Sequence, residues 1–512
     1  MEFERTKNAK RNLRWSWINK ILTLLVPFAM RTIILYTLGN LYLGLGSLFS
    51  SILQVLNLAE LGVGAALAFA MYKPAAEDNV EELKVLLNLY KKTYLVIGLV
   101  VAVAGLILMP FLQYFINGDV PEGVNLYVLY AIYLATTVSS YLFFAYKGSI
   151  LTVYQRADIS EKIHIVINLC KYGIQIAVLF AFKSYYAYVI TNLVTTIASN
   201  CLVAIAVSKL YPGLKPEGKA SKELTRYIFK KTGAVMGHKV AGTVINSIDN
   251  ILVSAILGLT VVAQYNNYYY ILSAISGFLG IISSSLTPIV GNYLIKESKE
   301  QNYKLFEVLH YSMTLLICIC CCCFISMYQP FITLWVGEEN KMPYLIVVLL
   351  VMLFFSQKYR SIILLFKDAA GLWEKDLPKP WIQVVVDLII DICLLNTIGI
   401  YGAIISSIVA EFFVAFFYES FVVHKYCFET SQRKFLLATA FYMAIITGSC
   451  FVTYYATSVV NFVSPILSLF IYLLISVAIG AIAFLFATCW TNEFKISLSF
   501  IKGKLPHKSR GG

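Results

Sequence analysis

Long apolar runs separated by short polar connections make up most of the chain. Fourteen such runs lie at about 15–38, 43–72, 94–116, 125–148, 163–182, 184–207, 233–257, 262–290, 307–330, 344–367, 381–398, 400–423, 437–459 and 464–488. Each can cross about 30 Å of hydrocarbon as an α-helix. A β-barrel would instead alternate over segments of about ten residues. The pattern predicts an all-α polytopic membrane protein with about 14 transmembrane helices. Spans 5 and 6, and spans 11 and 12, are joined by almost no loop.

Composition agrees. Of 512 residues, 59% are apolar and 13% charged. A soluble chain carries about twice that charge, and a disordered one far less apolar residue. The net charge of +13 would suggest nucleic acid in a soluble protein; here its placement matters more. Basic residues gather before span 1 (Arg5, Lys7, Lys10, Arg11, Arg14), in alternate connections such as 208–232, and in the tail (Lys495, Lys502, Lys504, Lys508, Arg510). With fourteen alternating spans these all fall on one side. The other side holds Lys183 and Lys341 beside Asp119, Glu122, Glu338 and Glu339. The positive-inside rule then puts both termini in the cytoplasm. The first run is too long for a signal-peptide core, so it is expected to remain as an anchor. No connection has room for a soluble catalytic domain, and no nucleic-acid partner is expected.

The two halves can be superposed at an offset of 219, matching Leu38-Gly39 with Leu257-Gly258, Ile52-Leu53 with Ile271-Leu272, and Asn168-Leu169 with Asp387-Leu388. These identities are few. The shared plan is stronger: each half has a long second span and a tight fifth and sixth pair. The predicted domains are a six-helix bundle over 1–220, a second over 221–430, and two extra helices with a cytoplasmic tail over 431–512. Such parallel repeats place substrate between halves near the midplane.

Ionisable groups inside spans are costly and face a cavity or a partner. On span 5, His164, Asn168, Lys171 and Gln175 share one helical face. On span 2, Gln54, Asn57 and Glu60 precede Gly64 along one broad face. Span 7 carries His238, Asn246, Asp249 and Asn250, span 11 carries Gln383, Asp387 and Asp391, and span 12 carries Glu411. Arg31 follows an expected kink at Pro27. Span 10 carries Lys358 and Arg360. These side chains fit either a water-filled cavity lined by both signs or buried pairs that fix the bundle. In the first case cations hold an anionic head group, and Asp249, Asp387, Asp391 and Glu411 take a coupling ion. Arg31 and Glu60 lie at different depths, so a direct pair is not expected. Lys358 and Lys367 lie near the inner face, where snorkelling is expected.

Tyr265, Tyr268, Tyr269 and Tyr270 cluster with Gln264, Asn266 and Asn267. They suit either an interfacial aromatic belt or a platform for sugar rings. Cys318, Cys320, Cys321, Cys322 and Cys323 on span 9 lack histidines at ligand spacing, so small apolar packing is expected, with no metal or cofactor.

The N-terminal motifs carry a resemblance. Arg5-Thr6-Lys7-Asn8, Trp17-Ile18-Asn19-Lys20, Arg31-Thr32, Tyr36-Thr37-Leu38-Gly39, Tyr42-Leu43-Gly44-Leu45 and Leu56-Asn57-Leu58-Ala59-Glu60-Leu61-Gly62 resemble bacterial polysaccharide repeat-unit flippases. These belong to the multidrug/oligosaccharidyl-lipid/polysaccharide exporter superfamily. The motif-level likeness covers about the first 90 residues. It implies two six-helix bundles in a V plus two C-terminal helices. It also implies a non-enzymatic flippase that moves undecaprenyl-pyrophosphate-linked oligosaccharide from the inner to the outer leaflet of the bacterial cell membrane. The pyrophosphate would be held by Arg31, with Lys171 and Arg360 as further cations. Glu60, Gln54, Asn57, His164, Asn168, Gln175 and Asn250 would line the substrate path. Expected partners are the lipid-linked substrate, membrane lipids and polysaccharide assembly proteins, and a monomer is expected. Two other readings compete: a cation-coupled multidrug antiporter of the same fold, which Arg31 and Lys171 oppose by repelling cations, and a membrane-embedded polymerase or glycosyltransferase, which would need a substantial outer loop.

Overall fold

A computed structural model describes residues 5–60, 62–460 and 464–501, and among them 87% are helical with no strands. Among the described residues twelve helices are long and apolar enough to cross a membrane, or thirteen if a bent pair is taken as one span. All fourteen expected runs coincide with helices or broken helix pairs. The protein is an all-helical, multi-pass membrane protein.

The chain forms two compact units, Met1–Ala263 and Gln264–Gly512. The long basic connection near 220 lies within the first unit, because the seventh span packs on the second. The first unit holds α1 (Arg5–Leu38), α2 (Asn40–Leu56), α3 (Val63–Ala76), α4 (Val80–Leu108), α5 (Leu126–Leu142), α6 (Gly148–Val153), α7 (Ala157–Phe182), α8 (Tyr185–Leu210) and α9 (Lys222–Leu257). The unit boundary falls inside α10 (Leu259–Lys296).

α1 continues past Pro27, the position of the expected kink, as far as Leu38. The second span is not one helix. It breaks into α2 and α3 at a 3₁₀ turn, Asn57–Glu60, followed by Gly62 at φ 93°. That φ suits glycine, which has no Cβ to clash. The face predicted for Gln54, Asn57, Glu60 and Gly64 is therefore divided among three elements. The fourth span bends by 43° between α5 and Ala145–Val153.

The 219-residue offset has a structural counterpart. Gly39 is the single residue joining α1 to α2, and Gly258 the single residue joining α9 to α10. They share a conformation, φ 96°, ψ 179° and φ 91°, ψ 170°. Gly258 is also crowded: an added Cβ would lie 2.6 Å from the Asn117 carbonyl oxygen, whereas at Gly39 it would meet nothing within 4 Å. Gly39→Ala should cost about 1 kcal/mol of backbone strain. Gly258→Ala should cost more, because Asn117 donates to the carbonyls of Ser254 and Ile256 and is held in place. Melting temperatures of the two purified variants test this order.

The second unit is built from α11 (Lys299–Val336), α12 (Tyr344–Tyr359), α13 (Ser361–Ala369), α14 (Pro378–Ile398), α15 (Ile400–Ile408), α16 (Phe417–Val423), α17 (Arg433–Ser458), α18 (Pro465–Thr488) and α19 (Asn492–Ile501). A π-helical stretch, Val409–Phe416, links α15 to α16. The C-terminal pair packs on α11. There Cys318, Cys321 and Cys322 are fully buried, and the Cys318 thiol donates to the Gly480 carbonyl at 3.6 Å. Gly480 leaves only 3.0 Å between an added Cβ and Ile319 Cα, a small-residue contact that lets two helices approach closely.

Candidate substrate site

The first unit gathers cations and tyrosines. Arg31 on α1 donates from Nη2 to the Ala263 carbonyl at 2.8 Å. Its charge lies close enough to act on the Tyr185 phenol. Tyr185 opens α8. Its hydroxyl shares a 2.9 Å hydrogen bond with that of Tyr133, and its ring stacks on Tyr188 at 5.6 Å and meets Tyr42 edge-on at 5.1 Å. Space for the two hydroxyls comes from Gly46: an added Cβ there would lie 2.5 Å from the Tyr185 hydroxyl and 3.1 Å from that of Tyr133. Lys171, near the middle of α7, sits over the Tyr172 ring at 4.5 Å. Tyr172 in turn neighbours Tyr188. Among the described residues no carboxylate lies close enough to Lys171 to act on its charge. An apolar span thus presents a half-buried lysine on a tyrosine-rich wall.

Other expected positions divide between structure and surface. Along α7 the predicted stripe grades from exposed His164 through half-buried Asn168 to Gln175, which is 1% exposed. Gln175 donates to the Tyr188 carbonyl at 3.2 Å and to Asn192 at 3.1 Å, so it pins α7 to α8 instead of facing a cavity. Glu60 accepts from the Tyr94 hydroxyl at 3.0 Å, and Tyr90 donates to Tyr94 at 3.2 Å. Gly64 makes room for both phenols. Glu60 thereby holds the break in span 2 against α4. Asn57 caps the end of α2. Ser247 donates to Gln54 at 3.2 Å and Asn250 to Ser51 at 3.0 Å, joining α9 to α2, with half-buried Asp249 adjacent. The side chains of His238 and Asn246 lie outside the described residues.

In the second unit Arg360 has a different role from the one expected. Its Nε lies 2.9 Å from Glu411 and its Nη1 3.0 Å from Glu419. Glu419 also receives Lys379 at 2.6 Å, and Lys367 reaches Asp376 at 2.6 Å. Gln383 donates to Glu411 at 3.1 Å. The exposures of Lys367, Lys379, Asp376 and Glu419 are 2%, 5%, 0% and 0%. Three cations and three carboxylates are locked together, so neither Arg360 nor Glu411 remains available for pyrophosphate or a coupling ion. Lys367 does not snorkel; it turns inward to Asp376. Asp387 and Asp391 on α14 are both fully buried, with carboxylate oxygens within 4.8 Å of each other. Ser406 donates to Asp391, and its hydroxyl lies close enough to act on Asp387 as well.

The tyrosines of 265–270 divide as well. Tyr265 and Tyr268 are buried; the Tyr268 hydroxyl donates to Gln329 at 3.0 Å and accepts from the Met342 amide at 2.9 Å. These two serve neither as belt nor as sugar platform. The aromatic wall beside the span cations comes from Tyr133, Tyr172, Tyr185 and Tyr188, which the sequence reading passed over. The Tyr185-Tyr186-Ala187-Tyr188 cluster was the available signal.

The sequence profile of the polysaccharide biosynthesis protein family matches residues 9–294. The chain belongs to this family. Among curated protein sequences none matches. Solved structures show the family member's fold. It is similar to lipid II flippase MurJ in its inward closed conformation, with a TM-score of 0.64 at 13% identity, covering 93% of this chain and 99% of that one. It is also similar to an inward-facing multidrug resistance MATE family transporter of the MOP superfamily, with a TM-score of 0.58, 14% identity and coverage of 77% and 93%. A MATE transporter of Vibrio cholerae gives 0.53 at 14% identity over 82% and 98%. The family member shares its fold with membrane transporters.

Proposed function

We propose that the protein is a flippase that moves undecaprenyl-pyrophosphate-linked oligosaccharide from the inner to the outer leaflet of a bacterial cell membrane by alternating access, for export of surface polysaccharide. Lys171 carries this reading: a cation in mid-span, with no carboxylate neighbour among the described residues, on a wall of tyrosines. A mid-membrane ionisable group marks a transport path. Lys171 and Arg31 suit a pyrophosphate, and phenol rings with hydroxyls suit sugars. The lipid tail stays in the bilayer. The distribution of lysine and arginine supports cytoplasmic termini. A multidrug antiporter exporting organic cations would be hindered by these same two positive side chains.

The buried carboxylates of Asp387 and Asp391 are the candidates for coupling to Na⁺ or H⁺. Proteoliposomes containing a labelled lipid-linked oligosaccharide test both parts. Wild-type protein should carry label to the far leaflet, faster under an imposed cation gradient, and Asp387→Asn should remove that acceleration. Export of organic cations with no movement of the labelled lipid would overturn the reading. Flipping indifferent to Na⁺ and H⁺ gradients would remove only the coupling.

A further inference from the structure

The C-terminal helices close a polar chamber within the second unit, independent of the flippase reading. It is a cavity of about 220 Å³ between the start of α11, the start of α17 and α19. Its walls carry Phe306, Tyr311, Phe435 and Tyr442. Phe306 and Phe435 lie 5.5 Å apart, and Tyr311 and Tyr442 6.4 Å apart. Two carboxylates open onto the same space, Glu307 from α11 and Glu493 from α19. They are near enough to act on each other. Among the described residues neither has a hydrogen bond or an ion pair. The lysines nearby do not fill the chamber: Lys304 is held by Glu300 at 2.8 Å, and Lys434 is exposed at the wall.

Two carboxylates that share one space favour added positive charge there, beyond what Lys304 and Lys434 supply to Glu307 from the rim. Aromatic faces stabilise the same charge through their quadrupoles and also shelter its carbon substituents. A hard metal ion would require six or more oxygen ligands, whereas aromatic rings take up much of this wall. We propose that this chamber binds an organic ammonium group, with the rings around its carbons and Glu307 and Glu493 on its charge. The chamber opens where α11 and α17 begin, α18 ends and the amphipathic α19 follows. An aminophospholipid head group therefore fits, with Lys434 placed for its phosphate; a soluble amine carries the same chemistry.

Native mass spectrometry of the full-length protein, delipidated and offered phosphatidylethanolamine or phosphatidylglycerol, reads the first source. Thermal shift with ethanolamine and choline reads the second. Wild-type protein should retain phosphatidylethanolamine preferentially or be stabilised by the free amines. Glu307→Gln with Glu493→Gln should weaken that binding about tenfold. Glu493→Gln alone, on the short peripheral α19, gives a smaller loss and serves if the double variant is poorly made. The proposal is overturned if wild-type protein shows neither preference, or if the glutamine variants bind as wild type does.

Discussion

Glu419→Ala is expected to unfold the second unit of the protein. Glu419 is fully buried and touches Arg360 at 3.0 Å and Lys379 at 2.6 Å, with Lys367 at 3.9 Å. Removing it leaves three cations against Glu411, Asp376 and the more exposed Asp368. Deleting one partner of a buried ion pair costs about 3–5 kcal/mol, because the remaining charge has lost both water and counter-charge. That is a large part of the about 5–15 kcal/mol that holds a domain together. The variant should therefore be scarce in the membrane and melt well below wild type in detergent. Glu419→Gln, which keeps volume and an acceptor, should fall between. A Glu419→Ala protein with normal melting but no transport would show that the cluster handles substrate.

Lys171→Ala should have the opposite signature: normal abundance and melting, with transport lost. Among the described residues Lys171 has no carboxylate to abandon, so its removal strands no buried charge there. What disappears is its attraction for the pyrophosphate. Truncating one side of a buried charge contact costs about 2–5 kcal/mol, or tens- to thousands-fold in affinity. Arg31→Ala should behave similarly but with some loss of stability, since Arg31 also anchors α1 to the Ala263 carbonyl. Lys171→Arg should keep part of the activity, as the charge stays while the geometry changes. Flipping rates in proteoliposomes, compared at equal protein content, check all three. Normal flipping by Lys171→Ala would remove the residue from the substrate path.

The spans were legible because hydrocarbon imposes a length and an apolar composition on every crossing. The break at Asn57–Glu60 was not, because it depends on a phenol from another helix meeting Glu60. The ion cluster was hidden for a related reason. Lys367 and Asp376 lie nine residues apart on either side of a turn, and only folding brings them together. Glu419 was further masked by helix geometry. In regular α-helix it would point about 80° away from Glu411. The π-helical stretch Val409–Phe416 advances less around its axis per residue, which lets both carboxylates reach one guanidinium. Of the candidate site, Arg31 and Lys171 were readable as charges out of place in apolar runs. Tyr133 was not, since tyrosine is abundant throughout this chain and its hydrogen bond with Tyr185 forms only on folding.

The one-residue joints at Gly39 and Gly258 leave the chain no slack. One residue inserted at either joint would turn the following helix by about 100° and expose the face it buries. The connection over 211–221, mostly exposed and without helix, can absorb such additions. Length variation, epitope tags and topology reporters are therefore tolerated at the long connection and excluded at the glycine joints, although all three lie between helices.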